Sequence, residues 1–217
     1  MGYVKKIAVV LAAVFGVTGL AGAQRMAQAP SMPGEFKPVV GAGAQYEVTT
    51  KKNEKVNWAY AVVGKEAVGG AEGYWLEMRL EGGKEGGMVM KHLLVVRGGK
   101  AEVKRMIVQT PGQPPMEMPM GMMGGMMSRG QQAASEQNLG ERVGTETVTV
   151  PAGTFLCEHY RSKSGKTPAD VWVSTKISPY GLVKMVSEDS TLVLTKVLAN
   201  ETTRIKGEPQ KLEMPHF

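Results

Sequence analysis

The stretch Tyr74–Glu81 alternates without a break, and that period of two constrains the fold more than any other feature of the chain. Tyr74, Leu76, Met78 and Leu80 fall on one side, and Trp75, Glu77, Arg79 and Glu81 on the other. This is the pattern of a half-buried strand. Glycine pairs at 69–70, 82–83, 86–87 and 98–99 punctuate neighbouring runs, as in a meander of short strands. Gly98-Gly99, between Met88–Arg97 and Lys100–Thr110, predicts a two-residue hairpin. The texture resumes with Val143–Val150 and Thr154–Lys163 around Pro151-Ala152-Gly153, where Pro fixes φ and Gly permits the positive φ of a tight turn. Asp170–Thr175, Leu182–Glu188 and Thr191–Leu198 follow, for about nine or ten strands from Gln45 onward. The connections are too short for crossover helices. The expected fold class is mainly β: one curved antiparallel sheet, a half-barrel able to leave one face wet or to close around a ligand.

The N-terminus reads as an export signal. Lys5 and Lys6 precede the apolar run Ile7–Leu20, and Ala21-Gly22-Ala23 is an A-x-A cleavage site that leaves Gln24 first. The run has 14 residues, short of the roughly 20 a membrane span needs. Cleavage after Ala23 leaves 194 residues, enough for one domain with its own core. The expected location is therefore the bacterial periplasm or the exterior. Residues 24–44 mix Pro, Gly and Ala without a period and read as a flexible arm. One β domain then spans 45–200, and 201–217 reads as an exposed tail.

Charge and cysteine usage narrow the function. Without Lys5 and Lys6, 24 basic residues face 20 acidic ones, interleaved as in Lys51-Lys52-Asn53-Glu54-Lys55. No basic stripe is present, which argues against nucleic acid as a partner. Cys157 is the only cysteine, so no internal disulfide can form, and no cysteine stands at the cleavage site to carry lipid. There is no H-E-x-x-H, C-x-x-C, P-loop or G-x-S-x-G pattern. The acids lie on strand positions expected to be exposed. A catalytic role has no residues to name, and the expectation is a protein that is not an enzyme and has no resident cofactor.

Two constellations carry candidate chemistry. Residues Pro111–Gly140 interrupt the sheet, far longer than an ordinary loop. Within them Met116, Met118, Met120, Met122, Met123, Met126 and Met127 are seven methionines in twelve residues. Thioethers are soft, neutral donors that suit Cu(I). The same run also fits a disordered insertion or a pliable apolar lid. Ser128–Leu139, ending at Gly140, is compatible with a short helix. Cys157 and His159, two apart on a strand, share a face about 7 Å apart. They read as a packed thiol and a rim histidine ahead of a ligand pair. His92 is a further strand histidine and His216 lies in the tail.

Residues 146–197 contain V-P-A-G-T-F, a V-W-V-S strand and P-Y-G-L-V-K. In this combination they resemble secreted bacterial proteins related to the LolA/LolB lipoprotein-carrier superfamily. The resemblance implies a strongly curved antiparallel sheet whose concave apolar face is covered by helices or loops. It also implies an envelope location and binding of acyl chains or lipidated partners. Pro151 and Gly153 would make the turn, Phe155 and Trp172 would face a neighbouring layer, and Pro179 with Gly181 would bend the next strand. The first expectation is thus a periplasmic binding protein for an apolar ligand, held by Tyr74, Leu76, Met78 and Leu80, whose other reading is an ordinary core face. A Cu(I)-binding or buffering protein using the methionine run is the second expectation. An envelope scaffold that binds another protein is the third.

Overall fold

A computed structural model describes residues 32–81, 87–97, 100–119, 139–162 and 168–211. The strands are β1 (Gly43–Thr50), β2 (Lys55–Val68), β3 (Ala71–Glu81), β4 (Val89–Arg97), β5 (Lys100–Gln109) and β6 (Met116–Glu117). They continue as β7 (Glu141–Val150), β8 (Gly153–Ser162), β9 (Ala169–Val173), β10 (Leu182–Ser187), β11 (Ser190–Leu198) and β12 (Gln210–Lys211). All twelve join one sheet in the order β12-β6-β5-β4-β3-β2-β1-β11-β10-β9-β8-β7. Every pairing is antiparallel except the short β12–β6 contact. No helix occurs among the described residues, and none there is long and apolar enough to cross a membrane. The expected all-β antiparallel fold is observed, with two or three more strands than the nine or ten expected. The additions include two-residue strands, which are too short to leave a period in a sequence.

The sheet bends. The β7–β8 turn reaches β11, where Ala152 N–H donates to the Leu194 carbonyl at 3.3 Å. In a flat sheet β8 would lie three strand spacings, about 14 Å, from β11. Gly153, at φ 133°, permits this turn as its sequence predicts.

The face set by Tyr74, Leu76, Met78 and Leu80 is the inner one. Cross-strand rows run Leu194–Tyr46–Trp58–Leu80 and Tyr60–Met78. Tyr46, Trp58, Tyr60, Leu76, Leu192 and Leu194 are buried there, each apolar side chain contributing roughly 1.5–3 kcal/mol by leaving water. Tyr46 also donates its hydroxyl to the Leu182 carbonyl at 3.0 Å.

The described part of the arm, residues 32–44, differs from its sequence reading. Within residues 24–44, Phe36 is buried and Gly43 and Ala44 belong to β1. Lys37 N–H donates to the Pro179 carbonyl at 2.8 Å. The Phe36 ring packs against Tyr180 at 5.4 Å, and Tyr180 against Tyr60 at 6.3 Å. A Cβ on Gly34 would sit 2.2 Å from the Tyr180 carbonyl oxygen, so only glycine admits this approach. One buried aromatic in a Pro/Gly-rich stretch suffices to dock it.

The stretch after β11 differs too. Its side chains are largely exposed, but residues 201–206 are strapped across the outer face of β3–β5, and Gln210–Lys211 join the sheet edge as β12. Arg79, on β3, binds Glu201 at 2.7 Å. Glu77 accepts hydrogen bonds from Thr203 Oγ1 at 2.6 Å and from the Arg204 N–H at 3.1 Å. Gln109 joins Lys206 through both backbone polar groups, and Ile205 packs onto Trp75, Leu93 and Ile107. Glu77 is consequently fully buried and Arg79 nearly so, against the expectation that the strand acids are exposed. Burial of the carboxylate is tolerable because donors from the strap saturate it.

Candidate functional site

The inner face of β3–β6 builds up from strand register. Tyr74 pairs with Leu94 and Leu94 with Val103; Leu76 pairs with His92 and His92 with Met106. Met78 pairs with Met90, Met90 with Val108 and Val108 with Met116. Met118 N–H donates to the Met106 carbonyl at 2.9 Å, which adds Met118 to the His92 row. Directly paired residues share a face with Cβ atoms about 4.5–5.5 Å apart. The four proposed ligand-face residues are thus brought together. Leu76 is buried, whereas Tyr74, Met78 and Leu80 are half-buried against the core, alongside Met90, Val103 and Val108.

A bulge decides which residue faces His92. Arg97 pairs with Lys100 across the hairpin, but the ladder shifts between Leu93 and Leu94, so Lys104 is extra and Met106 rather than Arg105 comes opposite His92. The slip turns a cation outward and a thioether inward. His92 Nε2 lies 3.0 Å from Met106 Sδ. Burial drops the imidazole pKa to about 4, so the ring is neutral at physiological pH. Besides the Tyr74 phenol, His92 is the titratable group in these rows.

Of the methionine run, Met116 and Met118 lie on this face, in and just after β6. Met120, Met122, Met123, Met126 and Met127 lie outside the described residues, as do nearly all of the expected helix and His216.

The Cys157–His159 pair sits at the other end of the sheet, on β8. Cys157 is buried and turns its Sγ to the Phe155 carbonyl at 3.5 Å. Burial, with the Glu146 carboxylate adding to it, pushes the thiol up to about 11, so it is a poor nucleophile. His159 stacks on Trp172 with centroids 4.5 Å apart. Its ring nitrogens lie 3.1 Å from Glu146 and 2.8 Å from Asp170. Burial pushes Asp170 up, but hydrogen bonds from His159 and Arg161 outweigh it and hold the carboxyl below its usual range. The imidazole is thus occupied on both sides by carboxylates, not paired with the thiol. Among the described residues no group of three or more His, Cys, Asp and Glu side chains is placed to hold a metal ion.

On the outer face, Trp75 donates its indole N–H to Glu66 at 3.0 Å. Lys91 and Arg105 stand over its ring at 4.6 and 5.2 Å.

No family model matches the chain, and neither does any curated protein. Solved structures give a distant likeness. A chain from Parabacteroides distasonis assigned as a lipoprotein is 13% identical, with a TM-score of 0.39 over 77% of this chain and 100% of that one. A Bacteroides fragilis chain assigned as an exported protein with a YmcC-like fold is 14% identical, with a TM-score of 0.39 over 76% of this chain and 99% of that one.

Proposed function

We propose that the chain is an exported binding protein, not an enzyme, that holds an acyl chain or a lipidated partner on the inner face of β3–β5. One observation carries this reading: the half-buried apolar strip of Tyr74, Met78, Leu80, Met90, Val103 and Val108, continuous with the core. Covering such surface is favourable by roughly 25 cal/mol per Å², and its three-bond methionine side chains adapt to a flexible chain better than branched ones would. The resemblance of residues 146–197 to the lipoprotein-carrier superfamily supports the same reading, as does the export signal.

Native mass spectrometry of the mature protein, purified gently from a bacterial periplasm, tests it. The expected result is an adduct of a few hundred daltons that a Met78→Glu, Leu80→Glu double variant fails to retain, with its β-sheet circular dichroism unchanged. A bare wild-type mass would sink the reading and leave an envelope structural or protein-binding role.

A further inference from the structure

The sequence offers a methionine run without an anchoring imidazole or thiolate. The register supplies one. His92, Met106 and Met118 form a single row across β4, β5 and the segment continuing β6, and Met90 and Met116 occupy the adjoining row. Among the described residues, the ring nitrogens of His92 have no carboxylate, hydroxyl or carbonyl partner, and Met106 Sδ stands 3.0 Å from Nε2. A packed histidine inside a sheet ordinarily finds an oxygen partner. This one faces a soft thioether in a row of apolar side chains.

We propose that His92 Nε2, Met106 Sδ and Met118 Sδ form a three-coordinate site for Cu(I). The donor set selects the metal: one neutral imidazole and two neutral thioethers favour a soft monovalent ion, while hard divalent cations want oxygen. Spacing fits as well. Bonds of about 2.0 Å to nitrogen and about 2.3 Å to sulfur at a tetrahedral to trigonal angle put the two donors roughly 3.5–3.7 Å apart. The His92–Met106 pair at 3.0 Å therefore needs to part by only about half an ångström. Met118 is half-buried.

Its three donors are distinct from the residues of the acyl strip, although their row runs between two rows of that strip, and it does not use the five methionines from Met120 onward. The test is an anaerobic titration of the mature chain with Cu(I) against a chromophoric Cu(I) chelator, followed by X-ray absorption at the copper edge. We expect one tightly held Cu(I) with a shell of one nitrogen and two sulfurs. Met106→Leu and Met118→Leu keep side-chain volume and should each weaken affinity at least tenfold, with folding checked by circular dichroism. A variant with Met120, Met122, Met123, Met126 and Met127 all changed to Leu should bind as the wild type does. No competitive uptake overturns the site, and so does loss confined to the five-leucine variant or an all-sulfur shell. The adduct seen by mass spectrometry is a separate readout, so either binding reading can fail alone.

Discussion

Single residues buried against the usual expectation make the sharpest tests. Glu77 holds the strap through Thr203 and the Arg204 backbone. Glu77→Leu keeps the volume but orphans both donors, beside an Arg79 whose Nε already lacks a partner. The expected cost is about 2–4 kcal/mol in urea unfolding, with faster hydrogen exchange at the Arg204 amide. A change below about 0.5 kcal/mol would show that the carboxylate is dispensable. His92 makes an acid-side prediction. Its pKa is near 4 when folded and about 6.5 when unfolded, so the unfolded chain takes up the proton first. Stability from this group is complete above pH ~6.5 and is lost as pH falls toward 4. His92→Leu should flatten that part of the stability curve; an unchanged slope would mean the ring is not enclosed as described.

At the scale of elements, strand existence and facing were legible, because period-two alternation and turn glycines are local signals. The expected Thr154–Lys163 and Thr191–Leu198 match β8 and β11 to within a residue at each end. Two things were not legible. A regular ladder from the Gly98-Gly99 turn would set Arg105 opposite His92; the bulge at Lys104 that brings Met106 there instead has no local marker. The strap was unreadable for a different reason. Apart from Ile205 its residues are polar or charged, and its partner Glu77 lies 126 positions from Thr203, so nothing nearby hints that both faces of β3 are covered. That coverage gives the third prediction. Ending the chain at Ala199 removes the ligands of Glu77 and Arg79 and the Ile205 contact with Trp75. The truncated protein should lose several kcal/mol, roughly the sum of one broken buried ion pair and one half-buried aliphatic contact. Its tryptophan emission should also shift to the red in native buffer. Unaltered emission and stability would make the strap a passive tail.

Across the whole molecule, the widest-reaching contacts converge on three phenols. Tyr46 comes from β1, Tyr60 from β2 and Tyr180 from the β9–β10 loop. Phe36 of the arm closes the group against Tyr180. Burial pushes all three phenols up, and their proximity adds to the effect for Tyr46 and Tyr60. At the far end of the same core, Cys157 is raised to about 11. In an unfolded chain thiols ionise near ~8.5 and phenols near ~10, so the unfolded state releases these protons first. Raised folded values give stability that is complete below pH ~8.5 and declines steadily as pH rises. The urea midpoint should therefore hold between pH 7 and 8 and fall continuously from pH 9 to 11. Tyr46→Phe separates the phenol from its packing. It forfeits the hydrogen bond to the Leu182 carbonyl, worth about 1 kcal/mol at neutral pH, yet removes one group that resists ionisation. Its curve should start lower and fall less steeply above pH 10. Parallel curves for the two proteins would place the alkaline sensitivity elsewhere in the sheet.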